Sequence, residues 1–115
     1  MRVFILSAIV AAAWAAGSQA DEMPALSKKY ECDGCHAINH RVVGPSWMEI
    51  SRKYKGVARY SYGGREYPLE EGLVMKVSMG GGGNWGTMPM PPNDPKGKYR
   101  ADMQTLVRYV LGLAK

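Results

Sequence analysis

The 115-residue sequence predicts a small all-α fold of about four short helices, and three observations carry the prediction. The first is a closing segment from Arg100 onward, where Met103, Leu106, Val107, Val110, Leu111 and Ala114 recur at the spacing of one helix face. The second is that strand-like alternation is confined to Tyr60-Ser61-Tyr62-Gly63-Gly64-Arg65-Glu66-Tyr67, around a Gly-Gly pair. The third is Cys32-Asp33-Gly34-Cys35-His36, which gives the helices something to wrap around.

Met1 to Ala20 reads as a leader rather than as part of the fold. Arg2 is its lone charge, Val3 to Ala16 carries none, and Ser18-Gln19-Ala20 supplies the small residues a signal peptidase reads. Cleavage is expected after Ala20, leaving one domain from Asp21 to Lys115. The apolar run is shorter than the ~20 residues of a spanning helix, so stable membrane insertion is not expected. Losing Arg2 takes the formal charge from +5 to +4. That mild basicity suits steering toward acidic partners, and no basic stripe interleaved with aromatics suggests nucleic acid. A domain of this size buries a marginal core, so a covalently held apolar cofactor would help close it.

In the mature segment, Asp21 or Glu22 can cap a first helix with Pro24 in its first turn, and Leu26 and Tyr30 facing inward. Gly44 closes the irregular stretch after His36, and Pro45 suits the first position of a second helix over Ser46–Lys55. Trp47, Ile50 and Tyr54 form its inner face and Gly56 its stop. Residues 57–68 read as a short hairpin or an ordered loop. Leu69 to Met79 reads as a third helix with Leu69, Leu73, Met75, Val77 and Met79 as its apolar set, weakened by Gly72. Gly80 to Gly83 ends it. The last helix should pack across the first, near Leu26 and Tyr30.

Cys-x-x-Cys-His is the spacing of a c-type haem attachment site. Two residues between the thiols, on a helical turn, point both sulfurs at one macrocycle edge, where they become thioethers to the vinyl groups. The imidazole that follows is held under the ring centre. A redox dithiol, half of a zinc site and a disulfide are the blander readings of Cys32 and Cys35. The adjacent His36 argues against the disulfide, and no βαβ pattern supports a thioredoxin-like dithiol.

A second axial ligand is expected late in the chain. Asn84-Trp85-Gly86-Thr87-Met88-Pro89-Met90-Pro91-Pro92-Asn93 cannot be helix, and a rigid extended loop can hold a methionine with no neighbouring helix to position it. Met23, Met48, Met75, Met79 and Met103 take the default role of core filler. Met88 and Met90 remain, and proline on both sides favours Met90. His40, four residues past His36, lies on the wrong side of the ring and reads as a loop residue.

Taken together, Cys32-x-x-Cys35-His36, Val43-Gly44-Pro45, Trp85-Gly86, Pro89-Met90-Pro91-Pro92-Asn93 and Arg108-Tyr109-Val110-Leu111 resemble the small class I bacterial cytochromes c of the cytochrome c-551/c-552 type. The resemblance implies the cytochrome c fold, its helices wrapped around one haem c bound covalently by Cys32 and Cys35. It implies His36 as proximal and Met90 as distal ligand to iron. It also implies that the Pro45 carbonyl accepts the His36 ring N–H, that Trp85 donates to a haem propionate, and that the Asn93 amide bonds near the methionine sulfur. Residues 57–68 look longer than in short members of the family. The aromatic that such proteins often carry on the first helix is missing near Leu26 and Ser27, so Tyr30 would build the contact with the last helix instead.

Histidine with methionine ligation raises the reduction potential and fills both axial positions, which suits passing single electrons and leaves no open site for bond chemistry. The expected role is a periplasmic electron carrier between respiratory redox partners, a monomer or weak dimer rather than an enzyme. Lys28, Lys29, Lys53 and Lys55 could steer an acidic partner, although an ordinary solvated face explains them equally. A haem relay subunit of a larger oxidoreductase, and a sensor in which Met90 is displaced, are the competing readings.

Overall fold

The structure, a computed structural model, describes residues 25–114. The expected leader, and the first-helix cap at Asp21, Glu22 and Pro24, lie outside the described residues. Four α-helices and one two-stranded sheet make up the described chain. They are α1 (25–29), α2 (Trp47–Tyr54), β1 (Arg59–Tyr62), β2 (Arg65–Pro68), α3 (Leu69–Met79) and α4 (Arg100–Leu111), with a 3-10 turn at Cys32–Gly34. The fold is helical as the sequence predicts, and residues 57–68 resolve to a hairpin.

The second helix is shorter than Ser46–Lys55 because Ser46 caps it from outside. Ser46 Oγ accepts the Glu49 N–H at 3.1 Å, and the Glu49 carboxylate accepts the Ser46 N–H at 2.9 Å. This reciprocal capping box satisfies two donors that the first helical turn leaves free. Pro45 therefore precedes the cap instead of opening the helix, and it is buried.

Gly63 and Gly64 both take positive φ, 59° and 77°, as the tight two-residue turn of a twisted hairpin requires. The pairing sets Tyr60 opposite Tyr67 and Tyr62 opposite Arg65. The hairpin packs on α3, which in turn packs on α4, while α4 also meets α2. Trp47, Tyr54, Tyr60, Leu73, Val74, Met103, Leu106 and Val107 form the buried core. The Ser51 hydroxyl ties α2 to the end of α4, donating to the Leu111 carbonyl at 3.1 Å and accepting the Ala114 N–H at 2.9 Å. Met79 departs from the apolar set read from the sequence. The buried positions of α3 are Gly72, Leu73, Val74 and Ser78, and Met79, its last residue, falls off that face and is 45% exposed.

The first and last helices meet through Tyr30. Its hydroxyl donates to Asp102 at 2.6 Å, Lys29 Nζ reaches the same carboxylate at 3.3 Å, and the Tyr30 and Tyr99 rings lie 6.0 Å apart. The phenol's hydrogen bond, followed by Lys29, holds the Asp102 carboxyl below its ordinary value of 3.8. A depressed folded-state pKa contributes stability above the unfolded value, and that contribution is lost as pH falls from about 4 through the folded pKa. Tyr30→Phe is expected to lower the unfolding free energy by about 1 kcal/mol at pH 7. Urea titrations should show this difference shrinking below pH 4, where the partner carboxylate becomes protonated.

Candidate haem site

The site begins with a single helical turn. The N–H groups of Cys35 and His36 both donate to the Cys32 carbonyl, at 3.1 and 2.9 Å. Cys32 and Cys35 line the same cavity, and burial pushes the Cys32 thiol up. The following loop folds back on this turn. Gly44 N–H donates to the Cys35 carbonyl at 2.8 Å, and Trp47 N–H to the Ala37 carbonyl at 2.9 Å.

That return fixes the His36 ring. Its Nδ1 lies 2.7 Å from the Pro45 carbonyl oxygen, so Nδ1 is the protonated nitrogen and Nε2 keeps its lone pair. Trp47 stacks beside the ring at 6.2 Å between centroids with 20° between planes. Against the ring edge there is room only for glycine at position 44. A Cβ on Gly44 would stand 2.7 Å from His36 Cε1 and 3.2 Å from Nδ1.

The late loop is anchored by a helix end, contrary to the expectation that no helix positions it. The final carbonyls of α3 have no partners inside the helix. Lys76, Val77 and Ser78 offer theirs to the N–H groups of Gly80 (2.8 Å), Asn93 (3.2 Å) and Asp94 (3.1 Å). Between these anchors Met90 pairs with Gly81 through two backbone hydrogen bonds, each 2.9 Å. The Asn93 amide donates to the carbonyls of Val77 at 3.1 Å and Pro91 at 3.3 Å. Asn93 thus straps the loop to α3, because those carbonyls need donors, and it is not among the residues lining the cavity.

Cys32, Cys35, His36, Pro45, Trp85 and Met90 all line one cavity. The cavity has a volume of about 150 Å³ and opens to solvent at its mouth. Ile50, Leu73, Val77, Leu106, Val107, Val110 and Leu111 supply apolar walls. Met88 also reaches the lining but is 66% exposed, whereas Met90 is half-buried. His40 is an exposed loop residue. Trp85 lies beneath two cations, with Lys53 Nζ 4.4 Å and Arg41 Cζ 5.8 Å from its ring.

Sequence reasoning did not find the roles of Gly44, Trp47, Tyr60 and Lys76. The first two carried a usable signal, since both lie within three residues of Pro45. Tyr60 and Lys76 join the site only through tertiary packing. Burial lowers the Lys76 pKa, and its ammonium donates to the Gly81 carbonyl.

A flat apolar macrocycle with two carboxylates fits this lining. Two thiols sit on one turn, an imidazole has a free Nε2, a thioether arrives from the far end of the chain, and the polar side chains are few. No protein-family model matches the chain. Its sequence is 40% identical over 86 residues to cytochrome c-551 of Azotobacter vinelandii, matching 75% of this chain and 90% of that protein. It is 39% identical over 88 residues to cytochrome c-551 of Allochromatium vinosum, matching 76% and 82%. The crystal structure of Nitrosomonas europaea cytochrome c552 superposes with a TM-score of 0.64 at 32% identity, covering 78% of this chain and 98% of that one. With this geometry and these relatives, the chain belongs to the cytochrome c-551/c-552 family, small electron carriers whose haem c is covalently attached.

Proposed function

We propose that this cytochrome is an exported, periplasmic carrier of single electrons between respiratory redox partners, and not an enzyme. In this reading residues 1–20 are a leader cleaved after Ala20, Cys32 and Cys35 anchor the haem as thioethers, and His36 and Met90 are the axial ligands to its iron. The observation that carries the proposal is convergence. Side chains from residues 32–36 and from residue 90 line the same cavity, each on a backbone pinned from behind.

Bound there, the haem supplies a one-electron couple. His36, giving its Nδ1 proton to Pro45, presents Nε2 in one orientation and with raised basicity. Met90 supplies a neutral, soft thioether that favours the reduced state. Because both ligands are held by backbone hydrogen bonds, neither has to move when the charge changes. The apolar walls keep water out and raise the cost of the extra charge in the oxidised state. Trp85 would direct its indole N–H to a propionate.

A docking face is supported by exposed apolar residues near the mouth. Val43 and Met88 are 55% and 66% exposed and line the cavity rim, and Ile38 and Val42 are exposed nearby in sequence to Val43. A small apolar contact of this kind suits a short-lived electron-transfer encounter. Of the four lysines considered for steering, Lys28 and Lys55 are exposed, Lys29 pairs with Asp102, and Lys53 covers Trp85. No helix of the described residues is long and apolar enough to cross a membrane.

Carbon monoxide tests the closed-site reading. Reduced protein at neutral pH should keep its visible spectrum under the gas. Fast binding would replace the carrier with an open-site sensor.

A further inference from the structure

The cavity lining is mostly apolar, and the hairpin contributes one of its few polar side chains. Tyr60, from β1, is only 6% exposed yet lines the cavity. Its place is fixed by backbone: a Cβ on Gly72, inside α3, would stand 2.7 Å from Tyr60 Cβ and 2.9 Å from Cδ1. The glycine that weakens α3 as a helix is therefore the notch that seats this ring. The ring also meets Tyr54 edge-on, with centroids 5.6 Å apart.

The Tyr60 hydroxyl accepts a hydrogen bond from the Asn84 amide. Trp85, Tyr54, Tyr60 and Asn84 all line the cavity, and each carries a donor. Tyr62 sits two residues from Tyr60 on β1. Lys76 on α3 lines the same cavity, and Lys53 on α2 lies over the Tyr54 and Trp85 rings. Among the described residues, no Asp or Glu lines the cavity. A phenol that already accepts from Asn84 still has a proton to give. A buried carboxylate needs such donors, because its desolvation is otherwise costly.

We propose that Tyr60, held by Asn84 and the Gly72 notch, is a positioning residue that donates its phenol proton to a haem propionate. The hairpin at 59–68 is then part of the cofactor site rather than a surface elaboration. This rests on the haem reading above.

The test is the pH dependence of the reduction potential of the holoprotein, compared with Tyr60→Phe, which keeps the ring and removes the hydroxyl. Removing a donor from an ionised carboxylate raises its pKa. The step in the potential-versus-pH curve should therefore move up by about one pH unit, while the haem absorbance is unchanged. A superimposable curve, even with a lower melting temperature, would reduce Tyr60 to a packing residue and overturn the proposal. Proton NMR of the reduced wild-type protein gives a second reading that does not depend on the variant folding. Overhauser contacts between Tyr60 and the propionate methylenes are expected, and their absence overturns the proposal as well. A colourless wild-type protein would instead remove the haem reading itself, and is told apart at once.

Discussion

Gly80→Ala is expected to lower the unfolding free energy by about 3 kcal/mol and to bleach the weak far-red band that a thioether gives with ferric iron. Gly80 ends α3 with φ 76°, a region where a Cβ collides with its own backbone and costs about 1–2 kcal/mol. In this fold the added carbon would also strike the Met90 carbonyl, and it would come within 2.8 Å of Pro92 N and 2.9 Å of the Pro91 carbonyl carbon. All three are backbone atoms in a proline-stiffened loop, so no side chain can swing aside. Overpacking adds about 1–3 kcal/mol, and the loop that must shift carries the proposed distal ligand. Guanidinium titration and the visible spectrum of the same sample read the two effects together. Wild-type stability with an undiminished band would mean that the Gly80 contact does not set the loop.

Gly44→Ala should damage the other face by about 2–4 kcal/mol. Its Cβ would press on His36 Cε1 and Nδ1, pushing the ring off both the Pro45 carbonyl and Trp47. The ring has little room to turn, because the backbone of its immediate neighbour Cys35 is held on both sides, by the Cys32 carbonyl and the Gly44 N–H. Lower yield of haem-loaded protein and an earlier urea midpoint are expected, with the far-red band retained. Loss of that band with unchanged stability would place Gly44 on the wrong side of the iron.

The parts of this fold that depend on near neighbours in sequence could be read from the sequence. The Cys32–His36 turn is local, the apolar repeat of α4 is periodic, and Gly63-Gly64 is a complete turn signal in two letters. What escaped reading are meetings between distant segments. Gly72 reads as a weak point in a helix until Tyr60 is laid against it. The end of α3 looks like a stop until its bare carbonyls are seen to hold Gly80, Asn93 and Asp94. The anchoring of Asn93 is likewise tertiary, its amide donating to the carbonyls of Val77 and Pro91. The Tyr30–Asp102 contact lies between, because the missing aromatic on the first helix points to Tyr30 but nothing local names Asp102.

The sharpest question is which sulfur is the distal ligand in the proposed His36–methionine pair, and ferric spectra of Met90→Ala and Met88→Ala at neutral pH answer it. Met90 is half-buried and pinned to Gly81, whereas Met88 is 66% exposed. The far-red band should vanish in Met90→Ala and persist in Met88→Ala. A band that survives loss of Met90 and disappears with Met88 would contradict the assignment of the distal ligand.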